Sequence, residues 1–337
     1  MRKKSLWRIF VCGVCGGAVC LLLALVQFKG NAVKQEGELY LSSQMTYAEV
    51  EEALWPYTKH HLAFRLYAQR LNLSERFKAG HYTLQRGMSV IDLVRMLKLG
   101  VQTPVRVTLN HVRTSAQLAG RLARQLEADS VAFYQALTSP ALAKELGFDS
   151  VTLFSMFLPD SYEVWWTTTP EEFVRRMKRE YDTYWSEERD ARRKRSGLSR
   201  LGVMTLASIV HEETAKGDEM PRVAGVYINR LRRGIPLQAD PTVKYALQDF
   251  SLRRILYKHL RYDSPYNTYK HRGLPPSPIC MPSKQAIEAV LNYEQHDYIF
   301  FCARPSFDGY HNFARTLSEH NANARAYQRE LNRRKIK

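Results

Sequence analysis

Cysteine is scarce in this chain, five in 337 residues. Cys12, Cys15 and Cys20 share one apolar N-terminal run, which leaves Cys280 and Cys302 for the rest. A disulfide scaffold is excluded; one bridge between the last two is allowed, but nothing in their spacing implies it. Cys280 and Cys302 are not spaced as a Cys-x-x-Cys pair, so no such pairing supports a zinc site on those two with His296 or His311. A Gly-rich phosphate loop of the P-loop kind is missing, as are zinc-finger and RNP-type motifs. Acidic residues are few beside basic ones, 33 Asp+Glu against 50 Lys+Arg, a formal net charge of +17. Such a charge attracts nucleic acid, anionic lipid headgroups or anionic wall polymers. The basic residues are spread along the chain. Their one dense run, Arg189–Arg195, also holds Asp190 and reads as a solvated loop or helix face. Charge alone does not make a nucleic-acid protein, and none is expected as a partner.

What is present is an ordinary globular composition, 45% apolar and 25% charged, with length for about two domains. Ile9 to Val26 carries no charge and no strongly polar side chain, and the run continues through Gln27 to Phe28. Crossing ~30 Å of hydrocarbon takes ~20 helical residues. Arg2, Lys3, Lys4 and Arg8 precede the run, and Lys29 follows it. The positive-inside rule puts the N-terminus in the cytoplasm and everything after Lys29 outside. A cleaved signal would have a shorter core ending in a small-x-small site. Here Leu21–Val26 runs straight into Gln27, Phe28 and Lys29, so an uncleaved plasma-membrane anchor is expected over residues 1–29.

Residues 30–105 read as a small α+β unit. Thr46–Leu54 and His61–Leu71 have helical spacing, and Lys78–Leu84 is a turn leading into a strand. Ser89 caps a helix that ends at Gly100, and Val101–Leu109 is an exit strand. Residues 106–337 read as a mainly helical α+β domain. Leu118–Leu126, Ser130–Leu137 and Glu171–Trp185 have helical periods, with a loop at Phe157–Tyr162. Further helices are predicted at Leu201–Lys216, from Pro221 to before Gly234, from Asp240, from Ser283, and at Ser318–Leu331, with a strand at Tyr298–Ala303.

Chemistry concentrates around Leu206–Thr214. His211-Glu212 could begin the zinc-protease motif H-E-x-x-H, but position 215 is Ala, so no second imidazole shares the face. On a helix Glu213 shares a face with Leu206, Ile209 and Val210, whereas Glu212 lines up with Thr205, Ser208 and Ile209. Glu213 therefore leaves the apolar face, where partial burial raises a carboxyl's pKa toward that of a general acid. The plainer alternative is that Glu213 pairs with one of the many arginines. Asp240 reads equally as a helix cap, Asn229 and Arg230 as pairing at a helix end, and Tyr266, Asn267 and Tyr269 as turn residues. Together they give one plausible acid, amides for hydroxyl recognition, aromatics for ring stacking and no metal set.

The segment ASIVHEET, then VAGVYINRLRRGIPLQADPTVKY, SPYNTYKHRGLPPSPI, HNF and SEHN, in that order over about 203–323, resembles the YceG-like family of endolytic murein transglycosylases. FLPDSY at 157–162 extends the likeness, and FKAGHYTLQRGMSVIDLVRMLKLG at 77–100 is similar to the family's small LysM-like unit. Where the family often has another Glu, this chain has His211, and the family's Pro-Gly-Pro-Ile loop is Pro276-Ser277-Pro278-Ile279. The family's A-S-x-x-x-x-E pattern falls on Ala207, Ser208 and Glu213. The resemblance implies a LysM-like domain at 30–105 and a transglycosylase domain at 106–337. It implies a lytic transglycosylase that cuts nascent peptidoglycan strands and so limits their elongation, needing no metal or cofactor. Glu213 would protonate the glycosidic oxygen after N-acetylmuramic acid. It would then take the proton of the C6 hydroxyl, which closes a 1,6-anhydro end. Asn229, Gln238, Asp240, Thr242, Tyr266, Asn267 and Tyr269 are the expected substrate-binding residues. Peptidoglycan strands, the plasma membrane and peptidoglycan synthases are the expected partners. A non-catalytic wall-binding scaffold and a hydrolase using Asp240 as second carboxylate remain as rivals.

Overall fold

A computed structural model describes residues 26–252 and 254–334. Most of the expected anchor, residues 9–25, lies outside them. Among the described residues no helix is long and apolar enough to cross a membrane. The chain is mixed α+β, with many helices and, among the described residues, three two-stranded sheets. It divides into two compact units. Among the described residues the first runs as far as Val107 and adds Gln125–Ala128 and Glu163–Thr168, and the second takes the remainder from Thr108 onward.

The first unit contains β1 (Gly37–Leu41), α1 (Tyr47–Leu54), α2 (His61–Arg70), α3 (Leu73–Arg76), β2 (Gly80–Leu84) and α4 (Val90–Leu99). The two strands pair antiparallel, Gly37 opposite Leu84 and Leu41 opposite Gly80. Leu39, Leu41, Tyr82 and Leu84 turn inward to meet Val50, Phe64, Leu93, Val94 and Leu97 in one apolar core. Thr46 and Ser89 each start a helix with a capping box, reciprocated by Glu49 and Asp92. Gly100, in the left-handed region at φ +71°, ends α4 where the sequence placed the stop.

The unit boundary falls within β3 (Val105–Leu109) and β4 (Asp160–Val164), which pair as the second sheet. A loop was expected at 157–162; instead Tyr162 and Val164 alternate inward, and the strand begins at Asp160. The second unit then holds α5 (Ser115–Ala123), α6 (Ser130–Thr138), α7 (Pro140–Glu145), α8 (Pro170–Tyr184), α9 (Glu187–Ser196), α10 (Arg200–Glu213) and α11 (Met220–Arg232). After these come α12 (Asp240–Leu247), α13 (Tyr257–Leu260), α14 (Lys284–Leu291), β5 (Phe300–Ala303), β6 (His311–Ala314) and α15 (Leu317–Arg333). β5 and β6 form an antiparallel hairpin that packs on α15. The dense basic run is not simply a solvated face. It forms α9, whose Arg189 and Arg192 pair with Glu288 of α14, while Asp190 pairs with Arg193 and Arg200.

Helix α10 is the axis of the second unit. Every residue from Gly202 to Val210 is buried, and α9, α11, α12 and α14 pack around it. A helix that is apolar on all sides belongs in an interior. Each large aliphatic side chain buried there is worth roughly 1.5–3 kcal/mol. Thr205 and Ser208 are the polar exceptions, and of the two Ser208 is the one bonded on both sides. Its fully buried hydroxyl donates to the Thr205 carbonyl at 2.7 Å and accepts from the Ile279 N–H at 3.0 Å. That bond fastens the proline-rich loop after Gly273 to the helix. Ser208→Ala would leave the Ile279 N–H buried and unpaired, at about 1–3 kcal/mol. Thermal unfolding should show a Tm lower by several degrees, and an unchanged Tm would mean that water replaces the hydroxyl.

Candidate active site

Glu213 is the last residue of α10. One turn of chain later, α11 brings Tyr227 across from it, and the phenol O–H donates to Glu213 Oε1 at 2.6 Å. Tyr227 is fixed by burial, 1% exposed, with its ring edge-on to Phe301 at 5.8 Å. Among the described residues the second carboxylate oxygen has no hydrogen-bond partner. Burial raises the Glu213 pKa from 4.5 to about 7. Asp240 and Glu212 push it the same way, against the Tyr227 hydrogen bond and Lys244. Burial also keeps the Tyr227 phenol protonated far above its usual range, so it remains a donor.

The neighbouring Glu212 is disposed differently. It takes the arginine that sequence reasoning had offered to Glu213: Arg113 donates to Glu212 Oε2 at 3.0 Å. Because α10 is buried all round, helical face alone separates the two glutamates poorly. Their partners separate them, a guanidinium for one and a phenol for the other.

Two cavities meet at Glu213. One, of about 420 Å³, is lined by Glu213, Tyr227, Arg230, Gln238, Asp240 and Tyr269, together with Phe300 and His320. The other, of about 900 Å³, shares Glu213 and Asp240 and continues along Lys244, Arg254 and Tyr327. The carboxyl therefore stands in a wall common to both spaces, with room on either side for an extended ligand.

Of the residues expected from sequence, Gln238, Asp240 and Tyr269 join Glu213 here. The Tyr269 hydroxyl donates to Asp240 Oδ1 at 2.6 Å, tying the two. Gln238 sits in the left-handed region at φ +54°, a conformation that costs a non-glycine residue and recurs at functional sites. The loop is held there by residues that do not reach the cavity. Thr242, fully buried, donates to the Ala239 carbonyl at 2.6 Å and shares a hydrogen bond with Thr268. Asn267 donates to the carbonyls of Leu260 and Tyr262 and accepts from the Tyr269 N–H at 3.0 Å, which aims Tyr269. Asn229 is spent on the carbonyls of His296 and Tyr298. Tyr266 bonds Ser277 and lines a separate cavity of about 430 Å³ with Tyr245 and Tyr134. The expected set thus divides into residues on the cavity wall and residues that shape its loops.

Three wall residues were not among the expected substrate-binding set. Tyr227 reads as part of the buried stripe of α11, and it is buried, but its hydroxyl reaches Glu213. Arg230, next to the expected Asn229, turns into the cavity instead. His320 falls on α15, far along the chain. Only the approach of α11 and α15 to Glu213 assembles them, and no local spacing encodes that. Among the described residues no cluster of three or more His, Cys, Asp and Glu side chains could hold a metal ion. His211 lies against Ser283 at 3.2 Å. Cys280 and Cys302 are free thiols.

Comparison with known proteins matches residues 39–326 to the YceG-like family. The endolytic murein transglycosylase of Bacillus subtilis is 30% identical over 279 residues, covering 78% of this chain and 76% of that protein. The protein of the same name from Streptococcus pneumoniae D39 is 31% identical over 300 residues, covering 79% of this chain. This chain spans only 53% of that longer relative. A crystal structure of a YceG-like protein from Listeria monocytogenes superposes with a TM-score of 0.57 at 25% identity, over 86% of this chain and 99% of that one.

The raised Glu213 pKa has a consequence for stability. The folded state holds its proton more tightly than the unfolded state, so the stabilisation is complete below about 4.5 and is lost as pH rises through about 7. Above that the folded protein carries a partly buried carboxylate. Glu213→Gln removes this cost while keeping an oxygen for Tyr227. The variant should gain roughly 1–3 kcal/mol relative to wild type on going from pH 5 to pH 8. Denaturant melts at both values measure it, and an equal difference at the two would contradict the shift.

Proposed function

The chain belongs to the YceG-like family, and we propose from this that it is an endolytic murein transglycosylase with Glu213 as its single acid/base. The observation that carries the proposal is the state of that carboxyl. It is poised near neutrality, oriented by Tyr227, and open on both sides to cavities that an uninterrupted strand could thread. The names of the Bacillus and Streptococcus relatives support the same substrate.

A group with pKa about 7 is half protonated at neutral pH, which suits a residue that must first give a proton and then accept one. Protonated Glu213 donates to the glycosidic oxygen between N-acetylmuramic acid and the next N-acetylglucosamine, and the C–O bond breaks. The substrate's 2-acetamido group stabilises the developing cation. Glu213, now ionised, accepts the C6 hydroxyl proton as that oxygen bonds to the anomeric carbon. A 1,6-anhydro end forms and no water is consumed. Tyr227, donating to Oε1, stabilises the ionised form at the midpoint. Asp240, tied to Tyr269, reinforces the protonated form through its charge.

On this reading, the cut falls within nascent strands and limits their length. Ile9–Val26 anchors the chain in the plasma membrane with both units outside, beside peptidoglycan synthases. Residues 30–105 form a LysM-like unit. Support for these parts comes from the apolar run, the basic residues before it and the motif at 77–100.

Mass spectrometry of peptidoglycan digested by residues 30–337 is the direct test. Wild type should release 1,6-anhydro-N-acetylmuramic ends, and Glu213→Gln should release them on the order of 10²–10⁴ times more slowly. Reducing ends would instead favour a hydrolase with Asp240 as second carboxylate. A folded wild-type protein that leaves strands intact would favour a wall-binding scaffold. The pH profile provides a second test. Because free Glu213 must be protonated, kcat/KM should fall as pH rises through about 7. Tyr227→Phe removes a hydrogen bond to the ionised form, so the falling limb should move up by about one pH unit. A limb that stays in place would mean another group sets it.

A further inference from the structure

We propose that Arg230 is the receptor for a carboxylate carried by the glycan strand, held in the cavity beside Glu213. The assignment rests on the glycan-cleaving reading above and names what that cavity selects. Arg230 is 7% exposed. Among the described residues it makes no ion pair. Its one side-chain hydrogen bond goes to a neutral acceptor, the Gln238 amide oxygen at 2.5 Å. Its Nε is buried without a partner. Elsewhere on the same helix Arg222 shows the usual arrangement, two hydrogen bonds to the Glu294 carboxylate.

A buried guanidinium without an ion-pair partner is costly, because no carboxylate is bonded to the charge it gave up water to bury. Phe300 provides one face, 5.5 Å from the guanidinium carbon, which attracts a cation but leaves its N–H donors free. His320 stacks on the same ring at 5.2 Å, and its Nδ1 is likewise buried without a partner. Both side chains line the cavity that Glu213 opens into. Two orphaned polar groups on one wall point to a ligand that supplies what they lack. The planar fork of arginine matches a carboxylate in particular. Sugar hydroxyls or an acetamido oxygen would satisfy an N–H but not the charge.

On a peptidoglycan strand such carboxylates hang from the muramic acid. A bare strand offers the lactyl carboxylate itself. A peptide-bearing strand has that group tied up as an amide and offers the carboxylates of its stem. The chemistry is the same, and the source can be resolved by substrate.

Initial rates of 1,6-anhydro product formation would be measured on four strands: peptide-bearing, peptide-bearing with its carboxylates methyl-esterified, bare, and bare with its lactyl carboxylate esterified. Esterification should raise KM on the order of ten- to a hundredfold in one pair, and the pair identifies the source. Arg230→Gln should abolish that preference for the charged strand, which loss of fold alone would not do. If the variant does not fold, the wild-type comparison still decides. Equal cleavage of charged and esterified strands in both pairs overturns the assignment and leaves the glycosidase reading standing. Failure of folded wild type to cut any of the four overturns both.

Discussion

A carboxyl group delivered by a helix that is buried on every side is the constraint around which the second unit is arranged. Gly202–Val210 cannot face solvent on any side, so α10 must be wrapped, and the wrapping elements converge where the helix ends at Glu213. A side chain there leaves bulk water with only one oxygen compensated, by Tyr227. The helix C-terminus adds negative partial charge of its own, which also disfavours ionisation. Stability and chemistry are opposed at this point. The same desolvation that makes the carboxyl a neutral-pH acid makes the ionised protein less stable, a compromise expected where a site is preorganised rather than optimised for folding.

Much of the fold was legible because it is written locally. Thr46 with Glu49, and Ser89 with Asp92 and the stop at Gly100, are complete start and stop signals within a few residues. Pro221, Asp240-Pro241 and Ser283 mark helices that form within a residue or two of where they were read. What escaped depends on distant partners. β1 shows only two inward positions, Leu39 and Leu41, too few to be distinctive until β2 lies beside it. β4 hides behind Pro159 in a segment that reads as a loop, and it becomes a strand only by pairing with β3. α9 is strongly charged along its length, and its amphipathic character appears only when Glu288 on α14 takes up two of its arginines.

The candidate site divides in the same way. Glu213 could be picked out from a short motif, although face alone was a weak reason for it. The helix has no exposed side to contrast with, and the decisive difference is that Glu212 meets Arg113. Gln238, Asp240 and Tyr269 lie in loops rich in turn signals, and loops carry ligand contacts disproportionately. Thr242 and Asn267 lie in the same stretches and look alike from sequence, yet their side chains turn inward to hold the backbone. A polar residue in a site loop can touch a ligand or shape the loop, and only the direction of its side chain decides which.

The arrangement also bears on why one carboxyl should suffice. A hydrolase must place a second group to activate water, whereas here the other carboxylate at the junction, Asp240, is already engaged by Tyr269 at 2.6 Å. It acts through its charge, holding Glu213 in its protonated form. If the nucleophile is a hydroxyl of the sugar itself, proximity comes from the substrate's own ring. The protein then needs only a proton carrier and a means of orienting the strand. Orientation calls for fixed contacts on one side of the scissile bond, and Arg230 and His320, each with a buried nitrogen left unpaired, stand in only one of the two cavities. The larger space beyond Lys244 and Arg254 has a different orphan, Glu212 Oε1, which is an acceptor and suits no anion. Such asymmetry fits a strand whose anionic group is held on one side of Glu213 only, which fixes the direction in which the strand lies across the carboxyl.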